Sequence, residues 1–196
     1  MDIEQSTTRE ASLNLAKFLR LLRMRLVTQG LKATLWWSFN VFNRLFLDRP
    51  IRRQCQVTPQ LFVGAQFRTR GWQALRHWGI SAVVNMRSEF NDLDLGVDIP
   101  AYLALPTIDD DAPSLENLER GVAFIRQEIE RGGKVYVHCG AGVGRAPTMA
   151  AAYLVTSGLT PEQAYETIRQ QRIFIRPTRV QREQLQHFAE AVPQHQ

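Results

Sequence analysis

Short apolar runs alternate with amphipathic stretches from residue 57 onward, and this alternation limits the possible folds more than any other feature. Four runs have the length and composition of buried strands: 61–64, 82–86, 102–105 and 134–138. Helical patterns cover residues 72–78 and 115–131, and three further helices follow the last strand. We therefore predict an α/β fold, a single domain with a mostly parallel central sheet flanked by helices. Ligands in such sheets bind beyond the carboxyl ends of the strands.

Local signals mark where several of these helices begin. Ser114 precedes the 115–131 pattern as an expected N-cap, and Gly132 and Gly133 follow it. The stretches 160–163 and 178–181 each have the Thr-x-x-Gln pattern of a capping box. The chain is 196 residues long and 44% hydrophobic, which is enough for one well-buried domain. We place this domain at residues 55–196.

Residues 1–54 differ in charge from the rest of the chain. They contain ten Lys/Arg and four Asp/Glu, a net charge of +6, whereas the remainder has fourteen and fifteen, a net charge of −1. Two helical stretches separated by Gly30 carry apolar stripes, with Asp48, Arg49 and Pro50 as the stop. The stripe residues are Leu15, Phe18, Leu19, Leu22 and Leu26, then Leu31, Leu35, Phe39, Phe42 and Phe46.

This segment, a basic amphipathic helical arm, is open to two interpretations. It is either a helical hairpin docked on the main domain or an arm that lies on an anionic membrane surface, with Trp36 and Trp37 at the headgroup level. Neither stretch is a continuous apolar run long enough to span a bilayer. Nucleic acid is not expected as a partner, because it would leave the apolar stripe uncovered.

Cysteine usage and the N-terminus indicate the compartment. Cys55 and Cys139 lie far apart and cannot form a disulfide framework, which fits a reducing environment. The first ten residues are polar and carry both signs of charge, so they do not resemble a secretory signal. We therefore expect a cytoplasmic protein, with the arm as a possible membrane contact.

The stretch VHCGAGVGRAP (137–147) links the last predicted strand to a helix through a loop built for an anion. We call residues 139–145 the glycine loop. A dinucleotide fingerprint would need glycine where Arg145 stands, and a Walker A loop would need Lys-Ser/Thr where Arg145 and Ala146 stand. A purely structural turn would need neither Cys139 nor Arg145.

Cysteine and arginine at the two ends of the loop indicate phosphate chemistry. Backbone N–H groups of Gly140, Ala141, Gly142, Val143 and Gly144 can surround a phosphate, and the following helix adds the positive end of its dipole. The same field stabilises a thiolate at Cys139, the expected nucleophile. Arg145 can hold two phosphate oxygens and stabilise charge in the transition state.

Cleavage of a phosphate ester also requires an acid for the leaving oxygen. The segment LPTIDDDAPS places Asp109, Asp110 and Asp111 after a predicted strand, about thirty residues before the loop. One of these carboxylates is a candidate, and the others are expected to lie in a solvated turn.

With these motifs, residues 57–190 resemble the cysteine-dependent dual-specificity phosphatases of the protein-tyrosine-phosphatase superfamily. VHCGAGVGRAPTMAAAYLV carries the Cys-x5-Arg signature of that family. The resemblance implies a phosphocysteine intermediate on Cys139, a phosphate clamp at Arg145 and a general acid at Asp109, with Asp110 as second choice. It also implies that His138 supports the thiolate, and that neither metal nor cofactor takes part.

The resemblance leaves the substrate open. The loop is similar to that of glucan phosphatases, whereas the segments 99–122 and 172–188 look more like phosphatidylglycerophosphate phosphatase and its bacterial relatives. A phosphoprotein, a phospholipid headgroup and a phosphorylated glucan are all candidates. Ala146 stands where the family usually has Ser or Thr, which is the one feature that favours a phosphate-binding pseudophosphatase.

Other residues receive ordinary structural assignments. We expect Cys55 to be a buried or linker thiol, and His77, His187 and His195 to have no catalytic role. Arg176, just before Pro177, is a weaker candidate for contact with the glycine loop. Gln181 is assigned to its capping box rather than to water positioning.

Overall fold

The computed structural model describes residues 15–191, with side chains from residue 18 onward. The start of the predicted first helix at residue 12 and His195 lie outside the described residues. The chain divides into two compact units, 1–39 and 40–196. Residues 40–54, which the sequence places in the arm, lie in the larger unit.

The first unit is helical. Helix α1 (Leu15–Phe42) is broken at Gly30, whose φ of 79° and ψ of 174° lie outside the helical region. Glycine suits this position because it has no Cβ to oppose a positive φ. The Phe18 ring stacks on Trp37 at 5.7 Å, and the Arg25 guanidinium lies 4.5 Å from the same indole. The chain therefore turns back at Gly30, the residue that separates the two predicted helical stretches. Over residues 15–191, every helix is too short or too polar to cross a lipid bilayer.

The second unit is an α/β domain. After α1, a π-helical turn (Asn43–Leu47) ends at Asp48, which has a φ of 46°. The remaining elements in chain order are α2 (Arg52–Cys55), β1 (Leu61–Ala65), α3 (Thr69–His77), β2 (Ala82–Arg87), a 3-10 turn (Asp92–Leu95), β3 (Ala101–Thr107), α4 (Leu115–Glu130), β4 (Val135–Cys139), α5 (Arg145–Val155), α6 (Pro161–Gln171) and α7 (Arg179–Ala191). The predicted strands are thereby confirmed, with ends that differ by one to two residues.

The strands form one parallel sheet in the order β1-β4-β2-β3 across the described residues. Ala65 lies opposite Cys139, and Arg87 lies opposite Thr107. The carboxyl ends of these strands therefore meet at one edge, where β4 delivers the glycine loop. Strands β1, β2 and β4 are almost fully buried, whereas the edge strand β3 is partly exposed. The main core cluster between the sheet and its helices includes Val63, Val84, Val137, Met149 and Ile168.

The helix caps follow the sequence signals closely. Ser114 Oγ accepts a hydrogen bond from the Asn117 N–H, which caps α4. The capping box of α6 is complete at Thr160 and Gln163. At α7, the Thr178 N–H donates to Gln181 Oε1 (2.9 Å) and the Gln181 N–H donates to Thr178 Oγ1 (3.3 Å). These contacts form between near neighbours in the chain, which is why local sequence was sufficient to predict them.

Candidate active site

The carbonyl groups of the glycine loop are all held from outside the loop. The oxygens of the six residues 139–144 each accept a hydrogen bond from the surrounding structure. The shortest contacts, one for each oxygen in loop order, come from Gln66 N (2.9 Å), Arg44 Nη1 (2.9 Å), Arg172 Nη2 (3.0 Å), Arg172 Nε (2.7 Å), Arg176 N (2.6 Å) and Thr148 N (3.0 Å). Because the two polar groups of a peptide plane point in opposite directions, the N–H groups are directed to the other side.

These N–H groups are available to a ligand. Among the residues that the structure describes, none accepts a hydrogen bond from the backbone N–H of residues 140–145. Gly142 has a φ of 66°, and a Cβ at that position would lie 2.3 Å from the Gly64 carbonyl oxygen. The loop thus requires glycine at 142 both for its conformation and for its close approach to β1. A concave row of free N–H groups is an anion-binding arrangement.

Cys139 lies at the base of this arrangement. It is the last residue of β4, its exposure is only 3%, and it forms no disulfide. Arg145 at the other end of the loop is the first residue of α5. The sheet therefore fixes one end of the loop and a helix fixes the other.

The guanidinium of Arg145 is buried and held mainly by Glu89. Nη1 donates to Glu89 Oε2 (3.0 Å) and Nη2 donates to Glu89 Oε1 (2.9 Å). Nη1 also donates to the Thr107 carbonyl at 2.7 Å, and Nη2 lies 2.8 Å from Asp109 Oδ1. Nε is buried without a hydrogen-bond partner. The Nε–Nη2 edge therefore becomes free for an oxyanion once Asp109 moves away.

Burial and pairing act in opposite directions on these charges. Burial alone would raise the pKa of Glu89, but the hydrogen bonds and charge of Arg145 lower it to about 2. Burial likewise opposes the charge of Arg145, yet Glu89 and the nearby Cys139 and Asp109 raise its pKa above the ordinary value. The pair is therefore ionised at neutral pH. Sequence reasoning missed Glu89, since nothing local to the SEF tripeptide indicates a partner.

The acidic triplet follows β3, and one of its members contacts the site. Asp109 reaches Arg145 while its side chain stays 78% exposed. Asp110 has a left-handed φ of 64°, and Asp111 Oδ1 accepts from the Ala112 N–H within its own turn. Asp109 is the carboxylate of the three that forms an ion pair with Arg145. Its exposure leaves it free to change partner.

His138 lies in a buried polar network. Its Nε2 is 2.8 Å from Asp92 Oδ2, and both side chains are fully buried. Asp92 also accepts hydrogen bonds from Gln66 Nε2 and the Tyr102 hydroxyl. Burial would raise the pKa of Asp92, but His138 and these donors lower it. This network orients the residue before Cys139, and Asp92 was not identified from the sequence.

Two arginines outside the signature hold the loop. Arg172, just after α6, is buried and binds the Ala141 and Gly142 carbonyls with two of its nitrogens. Arg44, in the π-helical turn, donates to the Gly140 carbonyl. The backbone N–H of Arg176 contacts the Val143 carbonyl, so this weaker candidate does reach the loop through its main chain.

Gln181 takes part in more than its capping box. It is buried, and its Nε2 donates to the Asp111 carbonyl at 2.8 Å. A Cβ at Gly144 would lie 2.8 Å from Gln181 Oε1, so the Gln181 side chain lies against the glycine loop.

Cys55 is buried, as expected, and burial raises the pKa of its thiol. Across residues 15–191, no three His, Cys, Asp or Glu side chains converge to hold a metal ion.

Comparisons with known proteins agree with this geometry. The family described as polymorphic toxin system, DSP-PTPase phosphatase, matches residues 61–159. Dual specificity protein phosphatase 12 of Rattus norvegicus is 36% identical over 116 residues, which are 58% of this chain and 34% of the rat protein. Phosphatidylglycerophosphatase and protein-tyrosine phosphatase 1 of Homo sapiens is 32% identical over 133 residues, which are 61% of this chain and 65% of the human protein.

Solved structures show the same likeness. The crystal structure of PTPMT1 in complex with PI(5)P has a TM-score of 0.62 and 30% identity, over 69% of this chain and 93% of that chain. Human DUSP28 has a TM-score of 0.63 and 27% identity, over 69% of this chain and 95% of that chain. The chain spans only 34% to 65% of the length of the two curated relatives.

Proposed function

The chain belongs to the dual-specificity phosphatase (DSP-PTPase) family, and from this membership we propose that it hydrolyses phosphomonoesters through a phosphocysteine on Cys139. One observation carries the proposal. Six loop carbonyls accept hydrogen bonds from the surrounding structure, which leaves the N–H groups of residues 140–145, directly after Cys139 in the chain, without an acceptor among the described residues. Such a site stabilises both a bound phosphate and the charge that develops during transfer.

The first step transfers the phosphoryl group from the substrate to the Cys139 sulfur. The phosphate binds on the loop N–H groups and on the Nε–Nη2 edge of Arg145, which releases Asp109. The Cys139 thiolate attacks phosphorus, the bond from phosphorus to the ester oxygen breaks, and protonated Asp109 donates its proton to that oxygen. The products are an alcohol and phosphocysteine.

The second step releases phosphate. Water attacks phosphorus, Asp109 as carboxylate accepts the proton, and the sulfur–phosphorus bond breaks to restore the thiolate. No metal ion is assigned a part in either step. Ala146 provides no hydroxyl to stabilise the leaving thiolate, so we expect this second step to limit turnover.

For the substrate we propose a phosphorylated protein or a phospholipid headgroup. The similarity to a dual specificity protein phosphatase supports a phosphoprotein substrate. The similarity to PTPMT1, which was crystallised with PI(5)P, supports a phospholipid headgroup. A phosphorylated glucan is the alternative that the loop sequence leaves open.

We further propose that the apolar stripe of the arm brings the enzyme to an anionic membrane surface. The second stretch of the predicted stripe is exposed: Leu31 (64%), Leu35 (60%), Phe39 (49%), Phe42 (49%) and Phe46 (73%). In the first stretch Leu19 and Leu26 are exposed, whereas Phe18 and Leu22 are half-buried. Exposed aromatic and aliphatic residues beside basic ones are typical of interfacial helices. The test is sedimentation with vesicles of phosphatidylglycerol and phosphatidylcholine. Leu35→Asp combined with Phe39→Asp should abolish binding, whereas equal binding by this variant would contradict the proposal.

The activity is tested by phosphate release in the presence of chelator. Phosphotyrosine and phosphothreonine peptides, phosphatidylglycerophosphate in micelles and phosphorylated glucan are compared, with Cys139→Ser and Cys55→Ser as matched variants. Release that Cys139→Ser abolishes and Cys55→Ser retains is expected. Tight binding of one substrate without release would instead indicate a phosphate-binding pseudophosphatase.

A further inference from the structure

Arg44 lies outside the part of the chain that the family description matches, yet it contacts the glycine loop. Its Nη1 donates to the Gly140 carbonyl, one residue after Cys139, at 2.9 Å, which is the shorter of two hydrogen bonds to that oxygen; the Gln66 N–H donates the other at 3.3 Å. Holding that carbonyl outward directs the next N–H, that of Ala141, to the phosphate side of the loop. The family description begins at residue 61, so this contact belongs to the segment that precedes it.

The position of Arg44 is fixed by neighbours one helical turn away on each side. Asn40 Nδ2 donates to Gln54 Oε1 at 2.7 Å, and Asn40 Oδ1 accepts from Arg172 Nη2 at 3.5 Å. Asp48 accepts from the N–H groups of Arg68 (2.7 Å) and Gly71 (3.0 Å) at the start of α3. Residues 40, 44 and 48 are therefore three polar anchors spaced four residues apart.

The opposite side of this short segment is apolar and exposed. Phe42 and Phe46 are 49% and 73% exposed, and their rings contact each other at 5.1 Å. The polar residues are thus the ones by which the segment contacts the rest of the second unit, to which it belongs. The hydrogen bonds of Asn40, Arg44 and Asp48 therefore hold this segment in place. Its own apolar side chains do not form a buried core.

Arg44 also brings a charge close to the thiol. Burial lowers the pKa of Arg44, and the charges of Arg87 and Arg172 lower it further, while a thiolate at Cys139 acts in the opposite direction. The cation is therefore crowded by other cations, and an anion in the loop relieves that repulsion.

We propose that Arg44 is a positioning residue for the phosphatase reaction, which holds the Gly140 carbonyl outward and stabilises the anionic state of the loop. This inference rests on the proposed function. It extends the active site beyond the Cys-x5-Arg signature to a residue ninety-five positions upstream of Cys139.

The test compares Arg44→Gln, Arg44→Lys and the control Arg53→Gln, which removes the same charge from an exposed residue of the same segment. Two readouts are used: steady-state kinetics, and alkylation of Cys139 by iodoacetamide at pH 6, followed by peptide mass spectrometry. Arg44→Gln should reduce kcat about tenfold with a smaller change in KM, and slow alkylation several-fold. Arg44→Lys should restore most of the alkylation rate, and Arg53→Gln should match the wild type.

The outcomes separate the two proposals. Wild-type kinetics and alkylation in Arg44→Gln would overturn the role of Arg44 alone. Faster alkylation in Arg44→Gln, without rescue by lysine, would also overturn it, because it would show a general opening of the site. Rapid alkylation of wild-type Cys139 without phosphate release from any substrate would refute the proposed function, while the alkylation rates would still test Arg44.

Discussion

The Glu89–Arg145 pair allows a quantitative prediction, because its carboxylate has a strongly lowered pKa. We consider Glu89→Gln, which keeps the shape of the side chain and removes its charge. The pKa of Glu89 falls from 4.5 to about 2 in the folded state. At 1.36 kcal/mol per unit this corresponds to roughly 3 kcal/mol of stabilisation. The side chain is 34% exposed, so solvent screening reduces the expected contribution to about 1–2 kcal/mol.

The sign of the pH dependence follows from the same values. The folded pKa lies below the unfolded one, so this stabilisation is fully present above the unfolded pKa of 4.5 and is lost as pH falls toward about 2. Glu89→Gln should thus be less stable than wild type by about 1–2 kcal/mol at pH 7, and the difference should shrink to about half or less at pH 3.

Urea unfolding at the two pH values measures this difference. Asp92 titrates in both proteins, so its contribution cancels in the comparison. Glu119→Gln, at an exposed position of α4, is the control and should change stability little at either pH. A Glu89→Gln deficit that is equal at pH 7 and pH 3 would refute the reasoning, since the loss would then come from packing rather than charge.

Three further predictions concern the glycine loop and the acid. Asp109→Ala should slow the hydrolysis of alkyl phosphates at least tenfold more than that of aryl phosphates, whose leaving groups need no proton. A larger effect of Asp110→Ala would identify that residue as the acid instead. Gly142→Ala should abolish phosphate binding and reduce the free energy of unfolding by about 2 kcal/mol or more, measured by isothermal calorimetry and urea unfolding, because its Cβ would meet the Gly64 carbonyl. Ala146→Ser should raise the steady-state rate and decrease the pre-steady-state burst; an unchanged ratio of burst to steady state would show that phosphocysteine hydrolysis is not limiting.

The sequence predicted those parts of the structure that depend on residues close together in the chain. The strands, the caps at Ser114 and Thr160, and the break at Gly30 all follow from local patterns. That a carboxylate of the acidic triplet lies near the glycine loop was also foreseeable, because parallel strands bring their carboxyl ends to one edge, but the ion pair of Asp109 with Arg145 was not predicted.

Contacts between distant positions could not be predicted in this way. Glu89 and Arg145 are 56 residues apart, Asp92 and His138 are 46 apart, and Asn40 and Arg172 are 132 apart. Each pair depends on strand order and loop conformation, which no local pattern encodes. Periodicity likewise showed that Leu35 and Phe39 share a helix face, but not that the face stays exposed.

Gln181 has a consequence for how this sequence can vary during evolution. Its side chain completes the cap of α7, binds the Asp111 carbonyl and lies against Gly144, whereas Gln163 completes the same kind of cap at an exposed position of α6. A substitution at 163 changes one local contact, but a substitution at 181 alters a helix end, the aspartate turn and the glycine loop together. Consider a library of variants that is screened once for protein abundance and once for phosphatase turnover. Substitutions at 181 that lower abundance should also lower turnover. Position 163 can drift among capping residues, while 181 is constrained by three roles that no single replacement fulfils.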